Sequence, residues 1–418
     1  MKIRPIITAC SIGNFLEWYD YALYGYLTSI LARMFFPQDE NLSALLNVAV
    51  LFAIGFLMRP LGSIIFGLIG DRKGRKIGLI LSILLMIVPT MLIGLLPTYA
   101  QIGIMSVIFL TFLRLFQGIP IGGEIGGVMC YLLEVGPAKQ KGFFGSWTFF
   151  GAQIGFIISS LEIYAFEIWM SPVAFETWGW RLSFIIGGLL AVFGWYLRRR
   201  LHETQPFQKM LEHHQILKNP VASTFKNYKK QFFQSFFISS VSAAGFYVLY
   251  FFSAIFLTDV LGFPVGKVLL INALILSVSS ILLPIFGKLG DRFGIKRLMI
   301  IGTAGVIGLP YFMFYFANQN QLALALLTQL VLSLFITLNC ALVPAFLTKL
   351  FPTEVRYTGI GISYNLSNAV FGGSAPLISL FLIKLTGSNL APAFYIMAVG
   401  AISLIPFLWK NPTFESVK

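Results

Sequence analysis

Apolar runs of about 20 residues or more, each ended by charges or turn-forming residues, repeat along nearly the whole chain. Their limits predict helices over 7–34, 43–69, 77–96, 101–133, 143–163 and 181–199, then over 232–259, 267–289, 298–317, 320–350, 356–385 and 391–409. Only residues 200–231 form a long polar stretch, from His202-Glu-Thr-Gln-Pro206-Phe to Lys229-Lys230, and the spaced apolar residues inside it predict short amphipathic helices. The expected fold is an all-α membrane protein with twelve transmembrane helices in two pseudo-symmetric six-helix bundles. Residues 1–199 would form the first bundle, 200–231 a linker, and 232–418 the second bundle.

A repeated turn supports the division. Gly67-Leu-Ile-Gly-Asp71-Arg72-Lys-Gly74-Arg75-Lys76 returns as Gly287-Lys-Leu-Gly-Asp291-Arg292-Phe-Gly294-Ile-Lys296-Arg297, about half a chain later. A duplicated membrane bundle is the architecture of a secondary transporter. Composition agrees: 57% of residues are hydrophobic and 11% charged, with a mean hydropathy of +0.83, so there is too little polar surface to cover a water-soluble domain.

The formal charge of +14 does not point to nucleic acid, because the basic residues occupy alternate loops and form no continuous face. Lys2, Arg4, both charged turns, Lys139, Lys141, the stretch from Arg198 to Lys230, Lys349, Arg356 and the tail from Lys410 are assigned to one side, and the loops near Pro97 and Asn318 carry almost none. By the positive-inside rule that side is cytoplasmic, and it holds both termini. The start lacks a small-residue cleavage site and reads as the first span. Cys10, Cys130 and Cys340 fall in apolar runs as small buried hydrophobes, and His202, His213 and His214 sit in the linker. With no disulfide framework, metal spacing, phosphate-binding loop or nucleophile–base pair, neither an enzyme nor a cofactor is expected.

Several segments carry a family resemblance. The charged turn resembles the signature of the major facilitator superfamily, and the weaker second copy stands where that superfamily's internal repeat puts it. Further segments resemble its metabolite:proton symporter branch, which includes proline/betaine, 2-oxoglutarate, citrate and shikimate carriers. They are Gly13-Asn14-Phe-Leu-Glu17-Trp18-Tyr19-Asp20-Tyr21 with Tyr24-Gly25, Gly55-Phe-Leu-Met-Arg59-Pro60-Leu-Gly62, Arg114-Leu-Phe-Gln117-Gly118 with Gly122-Gly123-Glu124, Gly179-Trp180-Arg181, and Phe351-Pro352-Thr-Glu-Val-Arg356-Tyr-Thr-Gly359. The first-helix segment, Gly-Ser-Trp147 and Glu203-Thr-Gln-Pro206-Phe look most like the proline/betaine group. The sequence ends nine residues after Trp409, without the long heptad tail of some osmosensing members, so osmotic activation is not carried over.

A charge near the bilayer centre costs about 2.5–3.5 kcal/mol on insertion scales, so each one kept there needs a partner, a wet cavity or a function. Glu17 and Asp20 lie at i, i+3 in the first predicted helix, and Tyr21 and Tyr24 extend the same face. Arg59 lies in the second helix and Arg114 in the fourth, with Gln117 one turn on and Glu124 deeper. A guanidinium stays charged, so Arg114 needs a fixed carboxylate or one brought by a solute. Glu17, Asp20, Arg114 and Glu124 are expected as a linked proton-coupling set lining a central cavity; the competing reading makes them structural ion pairs. Gly122-Gly123 and Gly126-Gly127 read as helix-packing residues. Trp147, Phe150 and Gln153 fall on one stripe that suits either a quaternary ammonium, through cation–π attraction, or plain packing. The expected substrate contacts are Tyr21, Tyr24, Arg59, Arg114, Gln117, Trp147 and Gln153, with Tyr364, Asn365 and Asn368 from across the cavity.

In the resembled superfamily the charged turns brace the inner gate. The expected gate residues are Asp71, Arg72, Arg75 and Glu134 with Asp291 and Arg292. Asp71 can accept backbone N–H groups at a helix start in the other half, and Arg72 can pair with Glu134. The chain is expected to be a monomer in the bacterial inner membrane that symports a small polar metabolite with protons, a zwitterion such as proline or betaine being favoured. A di- or tricarboxylate carrier, suggested by Arg59 and Arg114, and an uncoupled facilitator or exchanger are the alternatives.

Overall fold

A computed structural model describes residues 3–36, 41–263 and 265–409. Lys2 and the tail from Lys410, expected on the basic side, lie outside the described residues. The first half contains α1 (Ile3–Tyr26), α2 (Asn41–Arg72), α3 (Arg75–Leu95), α4 (Ile104–Val135), α5 (Lys141–Trp169) and α6 (Trp180–Arg199). The polar stretch folds as two short helices, α7 (Gln205–Glu212) and α8 (Pro220–Asn227), each with a proline in its first turn, where a missing N–H costs nothing.

The second half contains α9 (Lys229–Phe246), α10 (Val265–Phe293), α11 (Ile295–Gly308, continued by Pro310–Asn318), α12 (Leu322–Leu350), α13 (Arg356–Ser367) and α14 (Ala391–Leu404). Helix α9 runs on through a widened turn at Tyr247–Phe252, and α13 through another at Asn368–Gly373 before continuing as Ala375–Thr386. Among the described residues, ten of these rods are long and apolar enough to cross a bilayer. Helices α1 and α2 complete the twelve; α1 buries Asn14, Glu17 and Asp20 along its length. Helix α1 is described from Ile3 onward, and it breaks at Leu27 before a short continuation, Thr28–Phe35.

The duplicated turns reverse the chain through Gly74 and Gly294, whose φ angles of 119° and 98° lie in the region that favours glycine. Within the first half α2 packs on α4, α1 on α5 and α3 on α6; across the halves α5 packs on α10 and α2 on α13. At the α5–α10 crossing Gly142 and Gly287 face each other, and a Cβ on either would strike the other's carbonyl. Backbones meet directly there, so side chains just beyond the crossing can reach helix termini of the opposite half.

Candidate functional site

Both duplicated aspartates end up at helix starts across the midline, at the end of the molecule carrying the basic turns. Asp71 accepts N–H bonds from Tyr357 (3.2 Å) and Thr358 (2.9 Å) in the first turn of α13. Asp291 accepts from Gly142 (2.7 Å) and Phe143 (2.9 Å) in the first turn of α5. A carboxylate in this position satisfies N–H groups that have no partner inside the helix and faces the positive end of its dipole.

The two copies differ in what surrounds the aspartate. Arg75, buried, pairs with Asp71 at 2.9 Å and Glu134 at 3.3 Å, and donates to Thr353 O of the other half at 2.6 Å. Glu134 also binds Arg356 at 2.9 Å and accepts from Thr204 at 2.6 Å, so the linker and both halves share one carboxylate. Arg72, expected on Glu134, is instead exposed, because the helical turn of α2 points Asp71 inward and its neighbour out. Arg292 is exposed too, beside Phe293, and the position matching Arg75 is Ile295, buried and apolar. The charged lock is therefore one-sided.

Tyr357 closes the same end. Its ring lies against Gly70, Gly78 and Gly127, where a Cβ would collide with it, and its hydroxyl donates to Gly123 O at 2.7 Å. Glycines on α2, α3 and α4 thus form a socket for one tyrosine of the other half.

Deeper in the first half, the four ionisable residues expected as one set fall into three separate pairs. Glu124 is not joined to Arg114. It is gripped by both terminal nitrogens of Arg198 and accepts from Ser82 Oγ at 2.7 Å, while Arg198 also donates to Leu79 O at 2.8 Å and Ala9 O at 3.2 Å. Arg198 escaped the sequence reading because the run Arg198-Arg199-Arg200 looks like a loop cluster, whereas its first member turns inward from the last turn of α6. Every strong donor and acceptor there is spent, which is the arrangement of a structural pair. Arg198→Leu, which leaves Glu124 buried and alone, is expected to destabilise the protein by about 3–5 kcal/mol. A thermal-unfolding curve of the purified variant, shifted several degrees down, checks this; an unmoved curve would show the pair to be dispensable.

Asp20 and Arg114 stand 3.8 Å apart, bridged by Gln117, which accepts from Arg114 Nη1 at 2.8 Å and donates to Asp20 Oδ2 at 2.8 Å and Thr90 Oγ1 at 3.0 Å. The Arg114 guanidinium lies 3.9 Å from the Tyr24 ring centre and 5.1 Å from that of Tyr21. Glu17 and Arg59, each 1% exposed, face each other at 4.0 Å. Neither Glu17 oxygen has a hydrogen-bond partner, nor do Nε and Nη2 of Arg59 or of Arg114. These two pairs sense each other's charge yet keep donors and acceptors in reserve, unlike Glu124 with Arg198.

A cavity of about 20 Å³, room for little more than one water, lies where the halves meet, and Trp18 in its wall stands 5.4 Å from the Arg59 guanidinium. Trp18, Phe149 and Gln153 line it from the first half, and Phe246, Tyr247, Tyr364 and Asn368 from the second. Both widened turns carry a lining residue, Tyr247 and Asn368, as such turns often do at functional sites. Gln153 accepts from Ser280 Oγ at 2.9 Å. Of the expected substrate contacts, Gln153, Tyr364 and Asn368 line the cavity, whereas Tyr21, Tyr24, Arg59, Arg114, Gln117, Trp147 and Asn365 do not. Trp147 is half-buried against the cluster that includes Cys10 and Tyr131, because the lining stripe of α5 runs through Phe149, Ala152 and Gln153 instead. Asn365 donates to Gly122 O at 2.9 Å across the midline and so belongs to the α4–α13 contact. Sequence reasoning missed Phe56, Phe246 and Tyr247 and used Trp18 only as part of a motif; nothing in an aromatic-rich chain marks the few rings that face inward.

Family models match both halves: "Sugar (and other) transporter" over residues 6–219 and "Major Facilitator Superfamily" over residues 236–418. The ectoine/proline transporter ProP of Corynebacterium glutamicum is 33% identical, covering 98% of this chain and 84% of its own. The proline/betaine transporter of Salmonella typhimurium is 31% identical over 97% of this chain and 82% of its own. Among solved structures, the proton:xylose symporter XylE bound to 6-bromo-6-deoxy-D-glucose superposes with a TM-score of 0.81 at 17% identity, covering 100% of this chain and 96% of that one. The inward-open XylE of E. coli gives 0.69 at 17% identity, covering 100% and 97%. Matched in fold, by family models over both halves and by relatives above 30% identity along nearly its whole length, the chain belongs to the major facilitator superfamily of transporters.

Proposed function

We propose that this carrier moves a small zwitterion, proline or a betaine, together with a proton by alternating access, with its basic end in the cytoplasm of a bacterium. The observation that carries the reading is the Glu17–Arg59 pair: fully buried, 4.0 Å apart, without hydrogen bonds on the carboxylate, and behind Trp18, which lines the cavity between the halves. The Arg59 guanidinium keeps its charge at any physiological pH and needs one counter-ion. In the empty carrier Glu17 supplies it. When a solute carboxylate takes that place, Glu17 is left buried with no partner, and the cheaper form of a lone buried carboxyl is the protonated one. Solute and proton then bind together because one cation accepts one carboxylate at a time. The amino or ammonium end of the solute is held by the aromatic walls. Asp20 and Arg114, bridged by Gln117, orient the neighbouring Tyr21 and Tyr24.

Closing the basic end is the task of Asp71, Arg75, Glu134 and Asp291, whose bonds span the halves. Rocking to the opposite state breaks them, and their strength sets how far each state is populated.

Uptake by proteoliposomes tests the reading. An acid-outside pH step should make them accumulate labelled proline and glycine betaine, and a protonophore should abolish the accumulation. Uptake indifferent to the protonophore would identify a facilitator or exchanger. A second reading, a di- or tricarboxylate carrier, draws on the two guanidinium groups that flank Tyr21 at 4.6 and 5.1 Å. Competition by citrate or 2-oxoglutarate, with none by proline or betaine, would establish it.

A further inference from the structure

Four rings form a closed circuit of contacts, and three of them stand over the Arg59 guanidinium. Trp18 and Tyr21 of α1, Phe56 of α2 and Tyr247 of the α9 continuation follow one another with ring centres 6.3 Å (Trp18–Tyr21), 5.2 Å (Tyr21–Phe56), 5.4 Å (Phe56–Tyr247) and 6.2 Å (Tyr247–Trp18) apart. The central carbon of the guanidinium lies 4.1 Å from the centre of Phe56, 4.6 Å from Tyr21 and 5.4 Å from Trp18. Each distance is within the range at which a cation is drawn to the negative face of a ring. All four rings are buried, and Trp18 and Tyr247 also line the cavity.

We infer that this ring cage is the seat of a quaternary ammonium group, and that Arg59 fills it in the empty carrier as a tethered stand-in for the solute's cation. The inference rests on the zwitterion reading above and adds to it where the solute's cation sits, what occupies that seat before it, and a preference that rises with N-methylation. Three things support it. An aromatic enclosure selects a diffuse cation that forms no hydrogen bonds, which describes a methylated ammonium better than a primary one. The group now inside is itself a diffuse, weakly hydrated cation on a long flexible stem, so it can leave and follow the incoming carboxylate. Two of the rings, Trp18 and Tyr247, separate the guanidinium from the cavity between the halves, so a cation that enters the cavity meets the ring cage first.

The fourth wall belongs to the other half of the molecule. Trp18, Tyr21 and Phe56 stand on the first half, whereas Tyr247 arrives from the second, so the cage is complete only when the halves meet around it. A cation inside therefore helps hold the halves together at mid-membrane. The stand-in lets the empty carrier reach the occluded state that a loaded one reaches with its solute.

Glycine, N-methylglycine, N,N-dimethylglycine and glycine betaine share one carboxylate and differ only in methylation, and 3,3-dimethylbutyrate copies the shape of betaine without its positive charge. Competition of each against labelled proline in proteoliposomes, together with thermal stabilisation of purified protein by each, reads the seat directly. Potency should rise with every methyl, about tenfold or more from glycine to betaine, and the uncharged isostere should be at least tenfold weaker than betaine. Trp18→Leu and Tyr247→Leu should each shrink the betaine-to-glycine ratio to within about threefold, and Trp18→Phe should keep most of it. A flat methylation series, an isostere as potent as betaine, or ring variants with an unchanged ratio would overturn the proposal. Proline accumulation with a flat series defeats the cage alone. Failure of every zwitterion to accumulate or stabilise defeats the symport reading and the cage with it.

Discussion

Glu17→Gln is expected to abolish uphill accumulation driven by a pH gradient while leaving exchange of internal for external solute in place. Glutamine has the size of the protonated acid, so the variant imitates the loaded state of that position at every pH. Arg59 then lacks its resident counter-ion and depends on the solute's carboxylate, which should hold the solute more tightly and slow its release. Accumulation driven by the gradient should fall by an order of magnitude or more, whereas counterflow from preloaded vesicles should stay within a few-fold of the parent. The same assay on Glu124→Gln should show coupling retained, because that carboxylate is committed to Arg198 and Ser82. A Glu17→Gln carrier that still concentrates solute against a gradient would remove Glu17 from the coupling step and leave Asp20, 3.8 Å from Arg114, as the remaining candidate.

Helical spacing and the duplication placed the acidic residues of α1 and the two turn aspartates, though not Trp147, Asn365 or Arg292. Glu17, Asp20, Tyr21 and Tyr24 share the inward face of α1 because i, i+3 and i+4 positions must, and Asp71 and Asp291 reach helix starts because both turns repeat one geometry. Tertiary partners were not legible. Glu124 has Arg114 ten residues away on its own helix, yet about 15 Å of rise keeps them apart, and the guanidinium that reaches it comes from α6. Arg72 and Arg75 differ by three positions, and only the helix restart after Gly74 decides which of them points toward Glu134. Tyr357 gave no signal of its own. Its socket is made of glycines on three other helices, and a missing Cβ becomes a binding surface only once those helices have been brought side by side.

The second large effect concerns the lock at the basic end, where Asp71→Asn should release the two halves and Asp291→Asn should do so less. Asparagine keeps one acceptor oxygen but puts an NH2 group in place of the other, so an opposed donor faces either the Arg75 and Tyr357 side or the Thr358 N–H, and the negative charge is gone. Removing one partner of a buried ion pair costs about 3–5 kcal/mol. Asp71 and Arg75 both belong to the first half, so the loss that favours opening is that of the Tyr357 and Thr358 bonds, which exist only where the basic end is closed. A loss of about 1.5–3 kcal/mol, as for hydrogen bonds to a charged group, moves a two-state balance by roughly tenfold to a hundredfold. At Asp291 the carboxylate is half-exposed, its bonds are the two backbone N–H groups of Gly142 and Phe143, and Ile295 stands where an arginine would complete the pair, so less is lost. Spin labels on exposed Lys73 and Lys296, one on each half, would report the change as a longer distance population in Asp71→Asn, a smaller one in Asp291→Asn, and the largest in the double variant. Transport should fall in the same order while the amount of protein in the membrane stays constant. Equal effects from the two single variants would contradict a one-sided lock, and an unchanged distance distribution in Asp71→Asn would show that the socket of Tyr357, rather than the charge, keeps this end shut.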